Sequence, residues 1–190
     1  MLSSIHPLGE RSKGNRWWLT VAAHVVGGAA GGAAIGAALG FAGSIVPSGA
    51  RWAVAGLAVA AAASDLGMLP QPSWRRQVDE RWLQLYRGWV YGIGYGFQLG
   101  MGLVTIVTTA TVYVVFAVAV FAGSGRDGAL LGALFGATRG ATVLAASGVR
   151  TTEGLRRFHQ RLTRTGRRTR WLAPTADLLV AASMVAALRS

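Results

Sequence analysis

The chain has 190 residues, 52% of them hydrophobic and 14% charged, with a mean hydropathy of +0.41, a balance that excludes an ordinary soluble globular domain. Its formal net charge is +12, yet the basic residues fall between apolar runs without a base-stacking platform, which argues for membrane orientation and anionic lipid over nucleic acid. No cysteine is present, so disulfides, thiolate metal sites and thiol electron relays are excluded.

Residues 1–16 read as a basic cytoplasmic tail, with Arg11, Lys13 and Arg16 just before Trp17 and Trp18. A basic stretch before an apolar run also fits a signal peptide, but this run continues to Val46, too long for a cleaved leader. An uncleaved first span over 17–46 is predicted, its interfacial end marked by the tryptophan pair. Pro47, Ser48 and Gly49 form a turn, and a second span covers 52–69 before Pro70 and Pro72. Trp74, Val78, Trp82, Leu85 and Trp89 follow helical spacing, as in a helix lying in the interface over 74–88.

Residues 88–123 are too long for one perpendicular span and too short for two comfortable ones, so a single tilted or Gly-broken helix over 89–122 is predicted, with two spans as the alternative. A polar turn from Gly123 to Gly128 leads to a fourth span, 129–149. Arg150, Arg156, Arg157, Arg161, Arg164, Arg167, Arg168 and Arg170 then mark a basic amphipathic surface helix over 150–170, suited to anionic lipid headgroups. A final span covers 171–188. The fold class is therefore all-α, a polytopic helical membrane protein of about five transmembrane helices in one domain over 17–190. An N-in, C-out orientation places the basic segments 1–16, 70–88 and 150–170 inside and leaves Arg51, Arg126 and Arg189 outside. Rich use of Ala, Gly, Val and Arg beside a single lysine suggests a high-GC bacterium, hence a bacterial inner membrane.

Three glycine ladders at a spacing of four run through the spans: Gly28, Gly32, Gly36 and Gly40; Gly88, Gly92, Gly96 and Gly100; Gly128, Gly132, Gly136 and Gly140. On a helix this spacing leaves a groove free of side chains, along which another backbone packs closely. The third span also carries a polar stripe, Tyr91, Tyr95, Gln98, Gly102, Thr105, Thr109 and Tyr113. It lines a polar path or, alternatively, satisfies its own helix and the interface.

Arg139 lies near the middle of the fourth span, where an arginine requires a partner. Asp65 sits at similar depth near a helix C-terminus, and an Asp65–Arg139 pair is the expectation; snorkelling of Arg139 is the alternative. His6, His24 and His159 match no metal spacing, and no nucleophile–base–acid set or phosphate loop appears, so no metal, cofactor or catalytic residue is assigned.

The related Gly-rich segments 27–40 and 128–140, together with the run Gly92-Ile93-Gly94-Tyr95-Gly96-Phe97-Gln98-Leu99-Gly100, resemble small multipass transporter-like proteins of the cytochrome c biogenesis CcdA and LysE type. The Pro-Cys elements of the thiol-relay members are absent, so the resemblance implies transport or export and transfers no functional residue. Export or transport of a small solute along a path of Tyr95, Gln98, Thr105, Thr109, Arg139 and Asp65 is the leading expectation. The alternative is a noncatalytic membrane scaffold or accessory subunit that grips partner helices, or a second copy of itself, and binds anionic lipid.

Overall fold

A proline at a first helical position, serine and histidine caps, and a left-handed glycine stop set the helix limits in the computed structural model. It describes residues 5–47, 51–65, 68, 85–102, 111–158, 160, 175–176, 178–180, 182–183 and 186, with the backbone alone for Arg51, Ala62 and Asp65. Regular structure among the described residues is entirely helical, with no strand.

Helix α1 spans Pro7–Ser12, with Pro7 in the first turn and His6 Nδ1 accepting the Gly9 N–H at 3.0 Å. Helix α2 spans Trp17–Ser44 and α3 spans Arg51–Asp65. The described residues within 88–122 form two helices, α4 over Gly88–Met101 and α5 over Thr111–Ala122. Helix α4 ends because Gly102 adopts φ +70°, a left-handed C-cap that glycine enters without a Cβ penalty. Helix α6 spans Gly125–Ala141 and tightens into a 3-10 turn over Thr142–Ala146. Ser124 caps α6 by accepting the Asp127 N–H, and Asp127 complements the positive helix end.

Helix α2, about 42 Å long at 1.5 Å per residue, is the central element. Gly28, Gly32 and Gly36 meet Gly136, Gly132 and Gly128 in turn, so α6 lies antiparallel to α2. Helix α4 runs parallel to the first half of α2, from Gly88 beside Thr20 to Gly100 beside Gly28 and Gly32. Helix α5 continues in the same direction and brings Val120 against Gly43. The two short helices thus lie end to end along one long one. Helix α3 closes the far end by packing Val54, Ala55 and Ala58 against Ala117 of α5, with Val180 alongside.

Two helices among the described residues, Trp17–Ser44 and Gly125–Ala146, are long and apolar enough to cross a membrane. The apolar stretches Trp52–Ala61 and Thr111–Ala122 are shorter. Of the amphipathic segments anticipated from sequence, 74–84 and 161–170 lie outside the described residues, as does most of 171–188.

Candidate functional site

The glycine seam is built from backbone. A methyl group added to Gly32 would stand 2.7 Å from the carbonyl carbon of Gly132, and one added to Gly132 would stand 2.7 Å from that of Gly32. Gly28 and Gly136 oppose each other in the same way, as do Gly36 and Gly128, while Gly40 meets Ser124 and Gly140 meets Val25. On the neighbouring side, Gly92, Gly96 and Gly100 of α4 approach the α2 backbone at Thr20, His24 and Gly28. Gly27, Gly31 and Gly43, outside the four-residue series, serve the same approach toward Ile93, Phe97 and Val120. Only hydrogen side chains permit this spacing.

Arg139 lies where α4 stops. Its Nη1 donates to the Leu99 carbonyl at 2.9 Å, and its guanidinium lies over the Phe135 ring, 5.4 Å from the centroid. The last carbonyls of an α-helix lack their i+4 donors, and that helix end carries partial negative charge, so a half-buried guanidinium is favourable there. Leu99 O also accepts the Gly102 N–H at 3.3 Å. The partner of Arg139 found here is therefore a helix end; the Asp65 side chain lies outside the described residues.

The polar stripe divides between two environments. Tyr91 and Tyr95 are buried, with ring centroids 6.0 Å apart, in a cluster with Ile5, Val21 and Val143. Tyr113 packs instead beside Ala61, Val114 and Val180. Gln98 is half-buried, and Thr105 and Thr109 lie outside the described residues.

A polar cluster not singled out in the sequence sits at the α1 end. Glu10 is fully buried. The Tyr91 hydroxyl donates to its Oε1, and the Thr20 hydroxyl donates to its Oε2 at 2.9 Å. Asn15 donates to the Tyr91 hydroxyl oxygen at 3.4 Å and accepts the Gly88 N–H at 3.2 Å. Residues 5–16 are therefore folded onto the bundle. One turn deeper, the buried His24 places Nδ1 3.3 Å from the Gly92 carbonyl, while its Nε2 has no hydrogen-bond partner among the described residues. The scarcity of acids in this chain, seven in all, was the one signal that pointed to Glu10. Among the described residues no group of three metal-ligating side chains assembles.

Of the arginines assigned to lipid contact, Arg156 and Arg157 are exposed, and Arg157 pairs with Glu153. Arg161, Arg164, Arg167 and Arg168 lie outside the described residues.

No family model matches the chain, and no solved structure does. The chain is similar to the methylamine utilization protein MauF of Methylophilus methylotrophus, 35% identical over 155 residues, covering 70% of this chain and 50% of the relative. The MauF protein of Methylobacillus flagellatus is 33% identical over 143 residues with the same coverage. That of Paracoccus versutus is 39% identical over 83 residues, covering 44% of this chain and 30% of the relative. The chain thus spans about half the length of the first of these relatives. These likenesses overturn the transport and export expectation: the similar proteins are named for methylamine utilization, and the scaffold or accessory alternative fits them better.

Proposed function

We propose that this chain is a noncatalytic membrane scaffold or accessory subunit serving methylamine utilization. The similarity to the MauF proteins supports the link to methylamine utilization, and the observation that carries the membrane scaffold is the distribution of apolar bulk. Phe41, Ile45 and Leu134 are 68, 75 and 69% exposed, whereas the interior of the same helices is lined by glycine. Such a bundle is closed on itself through its backbones and presents large apolar side chains outward, to lipid or to a partner helix.

In this reading about five spans cross a bacterial inner membrane, residues 88–122 forming one discontinuous span from α4 and α5. The α1 end faces the cytoplasm. Arg11, Lys13, Arg16 and Arg87 are all exposed near that end, with Trp18, Tyr86 and Trp89 close to them in sequence. Basic and aromatic residues together are the composition of a cytoplasmic membrane interface, and Arg156 and Arg157 fit anionic headgroups.

The test is genetic and biochemical. Deleting the gene is expected to slow growth on methylamine as nitrogen source while leaving growth on ammonium unchanged, and the protein is expected to resist carbonate extraction from membranes. Wild-type growth on methylamine, or release by carbonate, would overturn the proposal.

A further inference from the structure

Glu10 belongs to a helix of six residues, too short to be stable alone, and yet it has no exposed surface. The groups that hold it come from two other helices. Tyr91 of α4 and Thr20 of α2, both fully buried, donate their hydroxyls to its two oxygens. Asn15 fixes Tyr91 from one side and the first N–H of α4 from the other. A methyl on Gly88 would stand 3.0 Å from Glu10 Oε2, so the first residue of α4 lies directly against the carboxylate. Thr20 lies in the opening turn of α2. Two parallel helices thus bring their positive ends to one carboxylate, and Lys13 adds an ammonium over the Tyr91 ring, 5.7 Å from its centroid.

The seated carboxylate is itself the evidence that this is a built site. Apart from Glu10, the α1 end is held by Ile5, which is buried with Val21, Tyr91 and Val143, and by His6, the buried N-cap of α1. Arg11, Ser12 and Lys13 are exposed. We propose that the Tyr91–Thr20–Asn15 cluster is a carboxylate-receiving site closed in cis by Glu10, and that α1 is a releasable strap. When the strap lifts, the site accepts an acidic side chain of a partner protein. The partner in trans rests on the accessory-subunit reading; the site and the strap do not.

The absence of native cysteine allows a clean test on the purified full chain. Ile5→Cys reports the strap, and Ala119→Cys, buried on α5 at the far end, reports the rest of the bundle. Adding Glu10→Ala is expected to raise maleimide labelling of Ile5→Cys by about tenfold or more, because hydrogen bonds to a charged group are lost. Labelling of Ala119→Cys should stay unchanged. Formate at tens of millimolar should refill the site and restore protection of Ile5→Cys, whereas chloride at equal ionic strength should not. Equal labelling of Ile5→Cys with and without Glu10→Ala, opening of both reporters together, or protection by chloride as good as by formate would each overturn the proposal. The growth phenotype can fail while formate still protects, so failure of the accessory reading is separately visible.

Discussion

Replacing Gly32 by alanine tests the seam where it is tightest. The added methyl would stand 2.7 Å from the Gly132 carbonyl carbon, where ordinary contact begins at 3.4 Å. The carbonyl oxygen of Gly132 stands closer still, so the shortfall exceeds about 0.7 Å, and the opposing atoms belong to a helix backbone, so no side chain can rotate to absorb it. Helices α2 and α6 must part along the seam from Gly28 to Gly36. A gap of 0.5–1 Å forfeits roughly a quarter to a half of each dispersion contact it opens. Overpacking of a tight core costs about 1–3 kcal/mol, and a rigid backbone seam belongs at the upper end, about 3 kcal/mol. For a chain of this size that corresponds to a fall in Tm of roughly 6–12 °C, readable in detergent from the intrinsic fluorescence of the seven tryptophans. Gly56→Ala on α3 is the control, since a methyl there meets nothing within 4 Å among the described residues, and improved helix propensity makes it neutral or slightly stabilising. Gly125→Ala, with its nearest atom at 3.6 Å, should behave like the control. If Gly32→Ala melts with Gly56→Ala, the close approach of α2 and α6 is not what holds the bundle together.

Other positions yield further expectations. Arg139→Met removes the donor to Leu99 O and should cost about 1.5–3 kcal/mol, with faster hydrogen exchange over 99–102; parental stability and exchange would show the guanidinium to be idle. Gly102→Ala forces a left-handed residue to carry a Cβ 2.9 Å from Val112 Cγ1. It should lower stability by about 1–3 kcal/mol, and a thermal melt matching the parent would refute the stop at Gly102. Ser124→Ala removes the cap of α6 and should cost about 1 kcal/mol in a denaturation series, while Ser124→Asp should retain most of that stability.

The four-residue glycine spacing was legible in the sequence because it is a property of one helix, and it marks where a backbone can approach. Which ladder meets which was not, since that depends on chain direction. The antiparallel α2–α6 seam pairs glycine with glycine, whereas the parallel α2–α4 contact sets Gly92 and Gly96 against Thr20 and His24. For the same reason Gly27, Gly31 and Gly43 look unremarkable in sequence, although a methyl on any of them would meet the backbone of α4 or α5 at 3.0 Å or less.

Arg139 marks the deeper limit. Reasoning from charge alone directs an intramembrane arginine toward a carboxylate, and so toward Asp65. A helix that stops inside the bundle offers a different acceptor, carbonyls left without their i+4 donors at its negative end. That acceptor exists because Gly102 turns left-handed directly after Met101, and a glycine among so many others carries no mark of its conformation in the sequence. The two features explain each other: without Arg139 the end of α4 loses its donor from α6, and without the stop at Gly102 the Leu99 carbonyl would be taken up by the next turn of helix.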